Sequence, residues 1–301
     1  MGGIRFEPHG RVTIVTGTLD YGQGHASAFA QVLVERLGVP FELIDLVQGD
    51  SDELLVGGGT GGSRSIMASG KALVEAAAEV IEKGRALAGH FLEAATADID
   101  FAAGRFRIAG TDRSIALLDL AARVREATEL PPDLPDSLDA ALISESPPSA
   151  FPNGCHVAEV EIDPETGQIW LDRYSAVDDF GTLVNPLLAE GQVHGGVAQG
   201  IGQALLERAV YDVKGQLLTG SFMDYALPRA QTVPKIAVGF HPVPATSNPL
   251  GVKGCGEAGV TGALPAVMNA VLDALATRGV HSLDMPATPE RVWRALQSAR
   301  V

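Results

Sequence analysis

Glu257 is the residue in this chain best suited to moving a proton. It stands in the run Gly254-Cys255-Gly256-Glu257-Ala258-Gly259, where flanking glycines leave few side chains to pair with it. Limited solvation raises a carboxylate's pKa toward working pH, as a general base requires. The same carboxylate ahead of a helix would equally serve as a capping acid favoured by the helix dipole. The residues alone leave both roles open. The run also fits GxGxxG, but the proline-containing stretch His241 to Lys253 precedes it instead of a strand, and no βαβ unit surrounds it. That context argues against a dinucleotide fold. Gly57 to Ser63 is followed by Arg64, without the Gly-Lys-Ser/Thr end of an NTPase phosphate loop.

Metal ligation by side chains is not indicated. The seven histidines include no HExxH motif and no pair four residues apart. Cys155 and Cys255 lack CxxC spacing, which suggests neither a disulfide framework nor a zinc knuckle. Four glycine-rich segments remain, Gly22 to His25, Gly57 to Ser65, Gly191 to Gly202 and Gly251 to Gly262, each read as a loop before a helix. Backbone N–H groups at such helix starts bind phosphate and other anions without positive side chains. Tight packing in an alanine-rich fold would also explain them.

The elements that carry these segments follow from hydrophobic pattern. Arg11 to Thr18 reads as a strand running into the glycine loop, and Phe29, Val32, Leu33 and Leu37 form one face of a helix stopped by Gly38. Phe41 to Val47 reads as a further strand, and Met67 to Ala95 as a long alanine-rich helix. Prolines cluster between Glu129 and Asn153, where a junction is expected. Beyond it, alternating Ala158, Val160 and Ile162, the turn Pro164 to Gly167, then Ile169 and Leu171 predict a β-hairpin. Helices are expected over about 188–208 and 264–278, the second with Pro265 near its first turn and Gly279 as its stop. The expected fold class is α+β: two mixed-sheet α/β subdomains, at 1–130 and 153–301, joined by a proline-rich connection at 131–152.

Composition bounds the function. The chain has 301 residues, 46% hydrophobic and 5% aromatic, enough to bury a sizeable core. A net charge of −15 argues against broad attraction to nucleic acid or anionic lipid. Glycine, at 35 residues, is about 12% of the chain against a usual ~7%. The amino terminus shows no apolar signal core or myristoylation pattern, and no stretch of about 20 apolar residues is read as a span. The expectation is a soluble, cytoplasmic protein.

Taken together, the glycine segments resemble one family, the molybdenum hydroxylases: xanthine dehydrogenase, aldehyde oxidase and the aerobic carbon monoxide dehydrogenase large subunits. Gly22-Gln23-Gly24-His25 resembles the family's GQG loop, and Gly61-Gly62-Ser63-Arg64-Ser65 its GSRS-type loop. Asn185-Pro186 through Gly191-Gln192, Gly195-Gly196 and Gln199-Gly200-Ile201-Gly202 is similar to its NP…GQ…GG..QG.G segment. Lys253-Gly254-Cys255-Gly256-Glu257 matches KGxGE, and Met285 to Trp293 the closing segment. Asn153 to Gly167 is also family-like, so the resemblance spans nearly the whole chain.

The resemblance implies a molybdopterin cofactor carrying Mo, often the cytosine dinucleotide form in bacteria. Gly22, Gln23, Gly24, His25, Gly62, Ser63, Arg64 and Ser65 would face the pterin, pyrophosphate or nucleotide, with Gln192 a further contact and Lys253, Gly254, Cys255 and Gly256 near the pterin. Glu257 matches the family's base, which deprotonates a Mo-bound hydroxyl that attacks the substrate carbon while hydride passes to a sulfido ligand. The metal itself is held by the pterin, with no direct protein ligand. An aldehyde, an N-heterocycle or CO would be oxidised with water as oxygen source, and electrons would leave through 2Fe-2S clusters to FAD on partner subunits. Family large subunits are more than twice as long, and nothing here resembles their earlier part. The expectation is therefore one partner of a split large subunit, or its isolated carboxy-terminal part, working with a chain that supplies the amino-terminal part. A non-catalytic cofactor-binding or scaffold module is the alternative.

Overall fold

The structure, a computed structural model, describes residues 1–299. They divide into two compact units. The first comprises Met1–Ala150, Thr182–Asn185 and Pro244–Gly254; the second comprises Phe151–Gly181, Pro186–Val243 and the chain from Cys255 onward. Helices and small mixed sheets occur in both, the expected α+β class.

In the first unit, β1 (Gly2–Phe6), β2 (Val12–Thr16), β3 (Ile44–Val47) and β7 (Ala140–Leu142) form a sheet in the order β3-β2-β1-β7, with only β2 and β3 parallel. Helices α1 (His25–Leu37) and α2 (Ser65–Leu92) cover it, burying Phe29, Leu33, Leu37, Leu73, Ala76, Ala77 and Val80 with Ile4 and Ile14 of the sheet. α2 is alanine-rich for a reason: β1 runs so close that a β-carbon on Gly2 would lie 2.6 Å from the Ala72 carbonyl carbon. Larger residues on that stripe would push the sheet away. An antiparallel sheet of β4 (Ile99–Ala102), β5 (Arg105–Ile108) and β6 (Ser114–Ala116), followed by α3 (Leu117–Glu126), completes the unit. The strand expected over Phe41 to Val47 is shorter than read. Phe41–Leu43 form one 3₁₀ turn after Pro40, and only Ile44–Val47 pairs.

The second unit is built on the expected hairpin, β8 (Asn153–Ile162) and β9 (Ile169–Asp179), with β10 (Ile236–Phe240) parallel to β9. Gly167 closes the hairpin turn at φ 73°, and the Asp163 carboxylate accepts from Glu165 N–H at 2.9 Å and from the Thr166 hydroxyl at 2.7 Å. Helices α4 (Pro186–Leu205), α5 (Ala258–Ala276) and α6 (Pro289–Ala299) follow.

Three expectations need correction here. α5 begins at Ala258, so Pro265 lies inside the helix instead of at its start. The lost hydrogen bond is tolerated because α5 packs against both α4 and β8, and tertiary packing outweighs local propensity. Gly191 to Gly202 is not a loop before a helix but lies wholly within α4, and Gly259 and Gly262 lie within α5. There the missing side chains let two backbones approach: a β-carbon on Gly196 would meet Gly259 Cα at 2.9 Å, and one on Gly200 would meet the Ala263 methyl at 2.5 Å. Third, α5 is long and apolar enough by composition to cross a membrane, contrary to the reading that no such stretch exists. Its buried stripe, Gly259, Ala263, Val267, Val271 and Leu275, gives that apolar character a role in the core of the unit.

Candidate functional site

The first unit gathers three of the singled-out segments. Gly22 to Gly24 leads into α1, and Gly22 and Gly24 take φ of 114° and 76°, which a side chain would resist. The loop before α2 ends in Gly62 at φ 65° and Ser63 at φ 52°. A serine in the left-handed region is strained, and such strain collects at functional sites. Thr60 ties the two loops, its hydroxyl oxygen accepting from Leu19 N–H at 3.3 Å and from the Ser65 hydroxyl at 3.2 Å. Gly254 then lies on Ser63, so closely that a β-carbon there would fall 1.4 Å from the Ser63 carbonyl oxygen. Lys253, half-buried, precedes it. Arg64 is exposed, and Ser65 begins α2.

The GQG loop does not leave its amides open, as an anion-binding loop would. Asp20 takes them: its carboxylate accepts from Gly22 N–H at 2.7 Å, Gln23 N–H at 2.6 Å and His25 N–H at 2.7 Å. Burial pushes the Asp20 carboxyl up, but those three donors outweigh it and hold the group below the ordinary aspartate range. Gln23 turns its carbonyl oxygen to Tyr21 N–H at 2.5 Å. His25 is buried, its ring 5.2 Å from that of Phe29, and burial lowers its pKa. Its side chain packs in the unit's interior. The sequence carried a signal for Asp20, an aspartate two residues before a glycine, which favours a turn closed by the carboxylate.

In the second unit, Gln192 is half-buried on α4. Cys255 and Gly256 lead to Glu257, which occupies the N-cap position of α5. Its backbone carbonyl accepts from Thr261 N–H at 3.0 Å, while its carboxylate makes no capping hydrogen bond and the residue is exposed. An acid at a helix start still meets the positive end of the helix dipole without such a bond, and the limited solvation expected around Glu257 is not seen, because the residue stands at the surface. Burial, helped by the negative charge of Asp178, pushes the Cys255 thiol up to about 11. Sequence reasoning passed over a buried triplet, Tyr174, His156 and Asp178, because strand partners share no local spacing. Among the described residues no cluster of three or more His, Cys, Asp or Glu could hold a metal ion.

Residues 2–234 match the molybdopterin cofactor-binding domain family. The chain belongs to that family. It is 37% identical over 296 residues to the carbon monoxide dehydrogenase large chain of Hydrogenophaga pseudoflava, covering 98% of this chain and 36% of that one. It is likewise 37% identical to the nicotine 6-hydroxylase large subunit of Paenarthrobacter nicotinovorans, covering 97% and 36%. The solved carbon monoxide dehydrogenase from Oligotropha carboxidovorans superposes with a TM-score of 0.90 at 34% identity, over 99% of this chain and 37% of that one. The chain thus spans little more than a third of the relatives it matches. Both the resemblance read from the glycine motifs and the α+β class are borne out.

Proposed function

We propose that this chain is the carboxy-terminal, cofactor-binding part of a molybdenum hydroxylase large subunit. It would contribute loops for a molybdopterin cofactor, with the cytosine dinucleotide form the proposed nucleotide, and Glu257 as the base. The residues of the first unit fit an anionic, flat cofactor in two respects. The starts of α1 and α2, each the positive end of a helix dipole, belong to loops joined through Thr60. The backbone at Gly62 and Ser63 is held in the left-handed region. One respect is less favourable, since Asp20 occupies the amides of Gly22, Gln23 and His25. Gly62 to Ser65 would therefore carry more of the cofactor contact than Gly22 to His25.

The cofactor, when bound, supplies the two-electron redox chemistry by which an aldehyde, an N-heterocycle or CO is oxidised with water as the oxygen source. Glu257 supplies the proton acceptor: an exposed carboxylate at the head of α5 with no capping hydrogen bond. The match of Lys253 to Glu257 to the KGxGE motif, at the head of α5, carries the reading. Gln192 is a proposed further contact, and Lys253 to Gly256 a wall close to the pterin. The partners are a chain supplying the remaining part of the large subunit, an iron–sulfur subunit with 2Fe-2S clusters and an FAD subunit, in the cytoplasm. In the enzyme assembled with those partners, Glu257→Gln lowers turnover by about 10²- to 10⁴-fold, the usual range for a lost acid–base group, at an unchanged molybdenum-to-protein ratio. Full retained turnover overturns the base. An assembled complex without molybdenum overturns the cofactor and leaves a scaffold module.

A further inference from the structure

A chain of buried side chains runs along the inner face of the second unit's sheet, and the reaction proposed above makes no use of it. His156 on β8 pairs with Ala176 on β9, which places Tyr174 and Asp178 on the same face to either side. The Tyr174 hydroxyl lies 2.7 Å from His156 Nδ1, and His156 Nε2 lies 3.1 Å from Asp178 Oδ1. The imidazole and carboxylate are 5% and 3% exposed, so solvent screens neither. Tyr174 holds its proton tightly, because burial and then the charge of Asp178 raise its pKa. With the phenol assigned as donor to Nδ1, Nε2–H is the donor to Asp178.

Two glycines make the socket. A β-carbon on Gly262 would fall 2.4 Å from His156 Nδ1, and one on Gly154 would fall 2.1 Å from Asp178 Oδ1. Gly262 lies in the early part of α5, the helix headed by Glu257. Asp178 Oδ2 is fully buried without a hydrogen-bond partner, and an unsatisfied buried acceptor costs on the order of 1–3 kcal/mol. Apolar side chains in place of such a buried polar cluster are often as stable or more so, so the triplet is not what packing alone would select.

We propose that Asp178, His156 and Tyr174 act as a positioning chain that fixes the first turns of α5 and, through them, the direction of the Glu257 carboxylate. A ring bonded at both nitrogens cannot rotate, and its edge sits in the notch that Gly262 leaves in α5. The helix start is therefore pinned to the β8–β9 pair. The catalytic consequence rests on Glu257 being the base; the pinning does not.

The test uses the assembled enzyme and Asp178→Asn, which keeps the shape and removes the charge, with Tyr174→Phe as a second variant that removes one oxygen. Both raise hydrogen–deuterium exchange at the amides of 258–262. Asp178→Asn lowers kcat between about tenfold and a hundredfold, the scale of a misplaced catalytic group, with KM within about twofold and molybdenum content unchanged. In a Glu257→Asp background the further loss from Asp178→Asn is less than about twofold, because residues acting through one another are not additive. Unchanged exchange in both variants overturns the pinning. Losses that simply multiply in the Glu257→Asp background overturn the link to Glu257 and mark a merely structural role. If Glu257→Gln itself keeps full turnover, the base reading falls and the exchange measurement alone decides the chain.

Discussion

Gly254 and Ser63 meet backbone to backbone, with no room for a methyl group between them: a β-carbon on Gly254 would lie 1.4 Å from the Ser63 carbonyl oxygen and 2.5 Å from its carbonyl carbon. The contact sets the KG segment against the loop that starts α2. Ser63 cannot easily yield, since it already sits at φ 52°.

Gly254→Ala therefore forces apart two segments far apart in sequence. Overpacking against backbone costs about 3 kcal/mol at the upper end of the usual range, which in a domain of this size lowers Tm by roughly 6–12 °C. Calorimetry of the variant checks this. A Tm within a degree of the parent protein would show that the two segments separate freely.

Asp20→Ala removes the acceptor for three N–H groups at the head of α1. Losing a helix-start acceptor of this kind costs about 1–2 kcal/mol. The pH dependence has a definite sign. The folded state holds the Asp20 carboxyl below its ordinary value, so folding binds fewer protons than the unfolded chain does at acid pH. The stabilisation is complete above about pH 4 and is lost as pH falls through that value toward the lower folded one. Urea unfolding between pH 3 and pH 6 should show a shallower acid loss in Asp20→Ala than in the parent. Identical slopes would mean that the three hydrogen bonds contribute nothing.

Much of this organisation was legible in the sequence, and the limits have physical causes. The β8–β9 hairpin announced itself through alternation and through Pro164 and Gly167, both local signals. The stop of α1 at Gly38 was legible for the same reason. Pro265 misled, because a proline restricts its neighbours locally whereas α5 is held by contacts with α4 and β8. The glycines of α4 misled in a similar way: glycine suits a loop and a close helix crossing equally well, and only the partner helix distinguishes them. At the candidate site, the glycine flanks singled out Glu257 but misled about its surroundings: they suggested limited solvation, whereas the residue is exposed at the start of α5. The His156, Tyr174 and Asp178 triplet was not, because its register depends on strand pairing. Thr182–Asn185 and Pro244–Gly254, which return to the first unit, leave no mark in local periodicity at all.

The two cysteines should differ sharply in reactivity. Cys155 is exposed on β8, whereas burial pushes the Cys255 thiol up to about 11. At pH 8 roughly one Cys255 in a thousand is then thiolate, and the thiolate is the species that alkylates. Iodoacetamide at pH 8 should label the Cys155 peptide first. Labelling of Cys255 should rise about tenfold per pH unit up to pH 10, because that range lies below its pKa. Equal rates in peptide mass spectrometry would show that the turn before Glu257 admits solvent to the thiol.

The glycines of α4 offer a direct test of whether they serve helix packing or a ligand-binding loop. Gly195 is exposed, and nothing lies within 4 Å of where its β-carbon would be; Gly196, its neighbour, would place a β-carbon 2.8 Å from Val260 N and 2.9 Å from Gly259 Cα. In a helix interior alanine is preferred to glycine by roughly 0.5–1 kcal/mol. Gly195→Ala should therefore stabilise the chain by about that amount. Gly196→Ala has the same propensity gain but must push α5 away, and the net effect should be a loss of about 1–3 kcal/mol. Opposite signs in denaturant unfolding would confirm the close crossing of α4 and α5. If both substitutions stabilise, the helices do not pack at Gly196, and α5 is not held by α4 at the turn that follows Glu257.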